Sequence, residues 1–355
     1  MKYWIVILMV IGSLRIEGQS RLDSIPSKKS SWTLLPIVYR APETGFAFGI
    51  GGLHSFYLGQ NSPVSAIQTG GVYTQRDQIL LYFNMNAFPK NTNYRYNIEL
   101  GYYRYVYDFF GIGNDDIGPR ETYGLDFPRV RISGFRAFFP DFYLGWRYGF
   151  DLDKITFIQE DGLLDNGNFR GSNGGTTSRT GPAVQVDKRD NVAYTKSGWF
   201  LESYLQIQRS WMGSSFSSLD GLVDGRYFYE IDQSTIATQV LYKWSDGNLP
   251  FYDLPNIGGA KGTRGYLETK YRDKFSIEFN SEFRFPIYKR FRGTVFAGSG
   301  MVYSKPKELN FSSFHSAAGL GLRFQVSKKS PFNLRLDWAY GADGSAIYFT
   351  FGEAF

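Results

Sequence analysis

The stretch Phe275-Ser276-Ile277-Glu278-Phe279-Asn280-Ser281-Glu282-Phe283-Arg284-Phe285 decides the fold. Every second residue from Phe275 is apolar except Ser281, and the residues between them are Ser276, Glu278, Asn280, Glu282 and Arg284. A period of two puts these sets on opposite faces of one strand. The pattern returns in Phe142, Leu144, Trp146, Tyr148 and Phe150 against Tyr143, Gly145, Arg147, Gly149 and Asp151. It returns again in Leu334, Leu336, Trp338 and Tyr340 against Asn333, Arg335, Asp337 and Ala339. Strands of a soluble sandwich alternate too, but they run ~5–6 residues, whereas these run ~10–14. Their second face is also charged, which a dry core tolerates only where the charges are paired. An all-β, transmembrane antiparallel β-barrel follows, greasy outside and wet within.

Working outward, strands are expected near 34–40, 45–58, 64–75, 78–88, 93–107, 124–139, 141–152, 178–188, 197–211, 222–232, 234–246, 273–286, 291–304, 313–327, 332–342 and 345–355. That is about sixteen strands, an even number, as single-chain bacterial barrels require. One end of the barrel then receives only short connections: Gly59–Pro63, Pro89–Thr92, Pro140, Arg189–Lys196, Ile231–Ser234, Pro286–Arg290 and Ser327–Pro331. The other end receives 108–123, 153–177, 212–221, 247–272 and 305–312, besides a few tight turns. Short periplasmic turns opposite longer external loops are the asymmetry of an outer-membrane barrel.

The rest of the composition removes competing classes. The 355 residues include no Cys, two His and 40 Gly, and 18% of them are aromatic. Without cysteine there is no thiol catalysis, disulfide frame, Cys-held zinc, iron–sulfur cluster or lipidated N-terminal Cys. The net charge of +6 comes from scattered residues, with pairs such as Lys28-Lys29, Lys289-Arg290 and Lys328-Lys329 beside turns. No basic stripe marks a nucleic-acid partner. His54 and His315 are too distant in sequence for a local metal motif, and Asp115-Asp116 and Asp161…Asp165-Asn166-Gly167 lack the calcium-loop spacing, so neither metal nor cofactor is expected. Lys2 followed by the apolar run Tyr3–Leu14 reads as a secretory leader over 1–18, cut after Gly18. The polar segment 19–31 cannot bury a core, which leaves 32–355 as the barrel.

The connection 247–272 stands apart. Phe251, Tyr252, Leu254 and Ile257 are unneeded in a loop that merely meets water, and Gly258-Gly259…Gly262 allows tight turning. An Arg264 followed by Gly265 suits a loop folded into the bore, with the planar guanidinium on a lumen carboxylate.

Gly258-Gly259…Thr263-Arg264-Gly265-Tyr266 resembles the signature loop of the bacterial outer-membrane assembly and secretion superfamily, which includes the BamA/TamA surface-antigen proteins and the two-partner secretion transporters. Asp187-Lys188-Arg189-Asp190-Asn191 followed by Gly198 is similar to its mid-barrel D-x-R-D-N…G stretch, and Glu282-Phe283-Arg284-Phe285-Pro286 to its E-x-R-x-P strand end. Phe314–Phe324 resembles its penultimate hairpin, Ile347–Phe355 its terminal strand with an aromatic last residue, and Pro42-Glu43-Thr44-Gly45-Phe46 a first-hairpin turn. The resemblance implies that Arg264 meets acidic residues on later strands. Glu282 fits the first, but Gly298 stands where the family has an Asp, so Glu282 carries the pairing either alone or with the lumen-facing Asp337. It also implies periplasmic POTRA modules, for which 19–31 offers no room.

The function implied is insertion or translocation of proteins at the outer membrane of a Gram-negative bacterium. The partners implied are membrane lipid, a separate periplasmic or lipoprotein partner, and a client outer-membrane or secreted protein. The seam would lie between the first and last strands, weakened by Pro36 and by Gly352 near the terminal Phe355. The competing expectation is a stand-alone or homo-oligomeric pore or scaffold. A rim hydrolase, using His54 or using His315 beside Ser312, Ser313 and Ser316, is a remote third.

Overall fold

The computed structural model describes residues 30–41, 45–59, 62–89, 93–115, 118–166, 169–325 and 332–355. The leader, nearly all of the polar segment, the Pro42-Glu43-Thr44 turn, Asp116, Gly167 and the 327–331 turn lie outside the described residues.

Eight strands form the first half: β1 Ser31–Ala41, β2 Gly45–Phe56, β3 Ser65–Thr74, β4 Ile79–Ala87, β5 Tyr94–Phe109, β6 Glu121–Phe139, β7 Phe142–Ile158 and β8 Gly175–Asp187. Eight more complete it: β9 Gly198–Gln208, β10 Ser217–Ile231, β11 Ser234–Asn248, β12 Phe275–Tyr288, β13 Phe291–Tyr303, β14 His315–Gln325, β15 Asn333–Gly341 and β16 Gly344–Phe351. Each strand pairs antiparallel with its sequence neighbours, in an order that runs from β1 to β16. The sheet curls until its far sides touch. Asn114, between β5 and β6, donates to the carbonyl of Ser313 at 2.8 Å and accepts from the Val302 amide of β13 at 3.0 Å.

Burial is inverted relative to a soluble protein. On β12, Ser276, Glu278, Asn280, Glu282 and Arg284 are buried, whereas Phe279 and Phe283 are exposed. Trp146, Trp338 and Tyr340 likewise face outward. Such a surface is stable only where hydrocarbon replaces water around it, as in a membrane-spanning barrel.

The strand boundaries differ from the sequence reading mainly at the long-loop end. β7 runs on to Ile158 and β8 begins at Gly175, so the connection expected over 153–177 shortens to 159–174. In the added part of β7, Lys154, Thr156 and Phe157 are exposed while Ile155 and Ile158 pack inward, and the ladder to β6 shifts register there. The plain apolar–polar alternation is broken at that point, which is why the sequence reading ended the strand early. The last strand ends at Phe351 rather than at 355, and β11 takes two residues, Gly247 and Asn248, from the expected loop.

Candidate functional site: an ion network that seats the inward loop

Arg264 reaches the inner wall between β12 and β15. Its Nη1 donates to Asp337 Oδ2 at 2.5 Å and its Nη2 lies 2.6 Å from Glu282 Oε1. Alternation puts both carboxylates inside, on strands separated by β13 and β14, and one planar guanidinium spans them. The Phe296 ring of β13 fills the gap, 3.5 Å from the guanidinium carbon. Gly319 provides the space, since a Cβ there would stand 2.3 Å from that ring. At Gly298 an added Cβ would stand 2.4 Å from Asn280 Oδ1, so a side chain there would require Asn280 to move. Gly298 offers no acid, and the second carboxylate comes from Asp337.

Three more arginines complete the network. Arg284 donates to Glu282 Oε2 at 2.7 Å, Arg323 pairs with Asp337 and donates to Glu353 Oε2 at 2.9 Å, and Arg335 lies 3.6 Å from Asp337. Arg335 also donates to the loop carbonyl of Ala260 at 2.8 Å. The side chains of these four arginines and of Glu282, Asp337 and Glu353 are at most 5% exposed. Four guanidinium groups thus face three carboxylates, with one positive charge in excess. Arg284, Arg323 and Arg335 shared the inward parity of Glu282 and Asp337, a signal available in the sequence. Glu353 did not, because it lies beyond the strand.

The glycines of the loop work by conformation and by closeness. Gly265 has φ of 111°, its added Cβ would lie 2.9 Å from Ala317 Cβ, and its N–H donates to Tyr348 Oη at 2.9 Å. Tyr266 is buried and donates to the Ser316 carbonyl at 2.9 Å. Glu278, which sequence reasoning placed in the lumen without a role, closes the bend. One of its oxygens accepts from the amides of Gly258 at 3.0 Å and Thr263 at 2.5 Å. Lys261 at the loop tip has solvent contact yet sits deep in the bore. Loss of bulk hydration lowers its pKa, and Arg226 and Arg335 add to the effect.

The loop has a second anchor on the opposite wall. Phe251 packs into a cluster with Phe109, Tyr123, Leu125, Phe127 and Leu164, and Asp253 pairs with Arg179 of β8. The segment therefore crosses the bore as a strut. Asp253→Ala leaves Arg179 with Asp151 at 3.9 Å as its nearest carboxylate. The expected cost is about 1–3 kcal/mol, with new protease cleavage around Phe251 while Arg264 stays seated. An unchanged cleavage pattern and unfolding midpoint would remove the second anchor from this account.

The mid-barrel motif closes the β8–β9 turn. Asp187 receives Arg189 Nε at 2.8 Å and Arg95 of β5 at 2.7 Å, and Asp190 Oδ1 accepts the Lys196 and Ser197 amides. Gly198 has φ of 103°, and a Cβ there would strike the Lys188 carbonyl at 2.1 Å.

The seam residues need correction. Pro36 lies within the β1–β2 ladder, opposite Ile50, but Pro128 and Pro182 sit in the interior strands β6 and β8. The β6–β7 and β8–β9 ladders are interrupted at those two prolines, so a strand proline does not by itself mark the seam. Gly352 is not in the last strand. With φ of 83° it ends β16 and turns Glu353-Ala354-Phe355 into the bore. Phe355 packs on Phe228 and Ala237 of β10 and β11, and its carbonyl accepts from Arg284 at 3.3 Å.

His54 stacks between Trp32 and Phe56 near the turn end of β2. His315 begins β14 at the long-loop end, stacked on Tyr271 and bonded through Nε2 to the Asn114 carbonyl at 3.0 Å. The two histidines are not brought together.

The profile of the Omp85 superfamily domain matches residues 57–355. Among solved structures, the chain superposes on BamA from Haemophilus ducreyi lacking POTRA domains 1–3 with a TM-score of 0.58 and 13% identity, covering 91% of this chain and 69% of that one. CdiB from Escherichia coli gives a TM-score of 0.58 at 13% identity over 94% of this chain and 63% of that one. CdiB from Acinetobacter baumannii gives 0.55 at 10% identity over 91% and 59%. The chain thus spans under two thirds of either CdiB. No curated protein matches it.

Proposed function

The chain belongs to the Omp85 superfamily, and from that premise we propose that this outer-membrane barrel assists insertion or translocation of polypeptide, with a separate periplasmic partner delivering the client. The observation that carries this reading is the loop Gly258–Tyr266 seated by Arg264 on Glu282 and Asp337, the element through which the chain first resembled the assembly and secretion barrels. The two terminal strands supply the second element. β1 and β16 end the hydrogen-bonded order, and strand edges of this kind can template an incoming strand.

The reading excludes catalysis as the working principle and uses no cofactor. Recognition here is by main-chain pairing and passage. The test is a proteoliposome containing the purified barrel with periplasmic extract, offered an unfolded outer-membrane β-barrel polypeptide. Protease-protected client should accumulate only when barrel and extract are both present, and photo-crosslinkers on β1 should capture it. Steady ionic conductance that ignores the client, without any inserted product, would replace this reading with that of a stand-alone pore.

A further inference from the structure

The outer wall carries a trench across β11–β15. The register lines up Thr238, Ser281, Ala297 and Ala318 on neighbouring strands, with Ser299 and Ser316 paired one row nearer the long loops. These positions share the outward face of Phe279 and Phe283, yet each holds only Ser, Thr or Ala. The row toward the turn end, Phe283, Val295, Leu320 and Trp338, stands exposed beside them. A small floor beside tall neighbours leaves a hollow of about 760 Å³, with Phe279 and Tyr340 on its margin. The same strands seat the inward loop on their other face. A Cβ on Gly265 would stand 2.9 Å from Ala317 Cβ, and one on Gly341 would stand 3.0 Å from the Tyr266 ring. Little more than backbone separates the loop from the trench.

We infer that the trench binds one acyl chain of an outer-leaflet lipid, of the hydroxylated kind that lipid A carries, and that the bound chain braces the wall behind the loop. The outer face of β11–β15 is part of the barrel's lipid interface, so hydrocarbon already lies against it. Five strands spaced ~4.8 Å apart make the trench about 19 Å long, enough for a chain that spans one leaflet of a ~30 Å hydrocarbon core. It opens at Tyr340–Ala342, beside the turn into β16 at the long-loop end, and reaches the middle of β11 at Thr238–Val240. A chain entering from the outer leaflet therefore follows it inward. Its floor is unusual for a lipid face, because hydroxyls in hydrocarbon need partners. Ser299 and Ser316 bond each other at 2.8 Å, which leaves lone pairs and one proton unused, and Thr238 reaches only the Tyr227 carbonyl at 3.4 Å. A plain alkyl chain offers these groups nothing, whereas a hydroxyacyl chain can both donate and accept.

Native mass spectrometry of the purified barrel in detergent, supplied with lipid A or with phosphatidylethanolamine, tests this. Wild type should retain one lipid A per barrel, on the order of tenfold more than phosphatidylethanolamine. Ala297→Phe and Ala318→Phe fill the trench from outside and should each cut lipid A retention on the order of tenfold, whereas Leu322→Phe, on the same face nearer the turns, should not. The double variant Ser299→Ala/Ser316→Ala keeps the space and should lose the preference between the lipids. Lipid A should also raise the urea midpoint of wild type and not that of Ala297→Phe. Equal retention of lipid A by wild type and the Phe variants, or none by wild type, overturns the seat. Equal retention of the two lipids by wild type overturns the hydroxylated ligand, and retention without a midpoint shift overturns the brace. Barrel dimers in place of lipid-bearing monomers, lost on the same Phe substitutions, would give the trench to a second copy instead.

Discussion

Glu282→Ala is expected to destabilise the barrel more than Arg264→Ala does, although the two residues form one contact. Glu282 faces Arg264 at 2.6 Å, Arg284 at 2.7 Å and Arg323 at 3.7 Å. Removing it leaves four buried guanidinium groups with two carboxylates. Removing Arg264 leaves three guanidinium groups with three carboxylates, which costs contacts but evens the charge. Breaking a buried pair by deleting one partner costs about 3–5 kcal/mol, because the remaining charge keeps its desolvation penalty. Glu282→Ala belongs at the top of that range and Arg264→Ala at the bottom. Arg264→Lys should also lose stability, since a single ammonium cannot span Glu282 and Asp337 as a planar fork does. Urea midpoints and heat-modifiability of barrels refolded in detergent measure all three. The reverse ranking, or wild-type midpoints throughout, would mean that the network is not what seats the loop.

Deleting Glu353–Phe355 is expected to have the second large effect, out of proportion to three terminal residues. The tail gives Arg323 its 2.9 Å carboxylate, gives Arg284 a carbonyl at 3.3 Å, accepts the Asn333 amide at 2.7 Å, and covers Phe228 and Ala237. Without it two arginines at the turn end of the bore lose partners and an apolar patch opens. A loss of about 3 kcal/mol or more is expected from the orphaned charge alone. Glu353→Gln separates the parts, because it keeps the packing and one hydrogen bond while removing the charge. If the deletion refolds with a wild-type midpoint, the tail is an ornament of the bore rather than a component of the network.

Much of this was legible from residue order. Period-two alternation placed Glu282 and Asp337 in the lumen, and Arg264 between glycines in an apolar-rich loop pointed to a lumen carboxylate. Which carboxylates it meets was implied only by the resemblance and not by the residue pattern, because Asp337 is 73 residues from Arg264. Position 298 on β13 is a glycine with Asn280 Oδ1 beside it, and Asp337 of β15 supplies the second carboxylate instead. Asp253 was hidden for a related reason: its partner Arg179 lies on the far side of the bore. Glu353 and Phe355 were misplaced because a strand read as continuing to 355 in fact ends at Gly352, whose positive φ appears only once the backbone is built.

By itself, the order of residues determined the class of the protein: how many strands, which face meets lipid, and which loop enters the bore. These follow from periodicity and from local chain flexibility, both properties of neighbours in sequence. Only the curled tertiary arrangement decided which charges meet and where the last three residues go. Those outcomes depend on distances between strands that are remote in the chain, and curvature sets such distances where adjacency cannot.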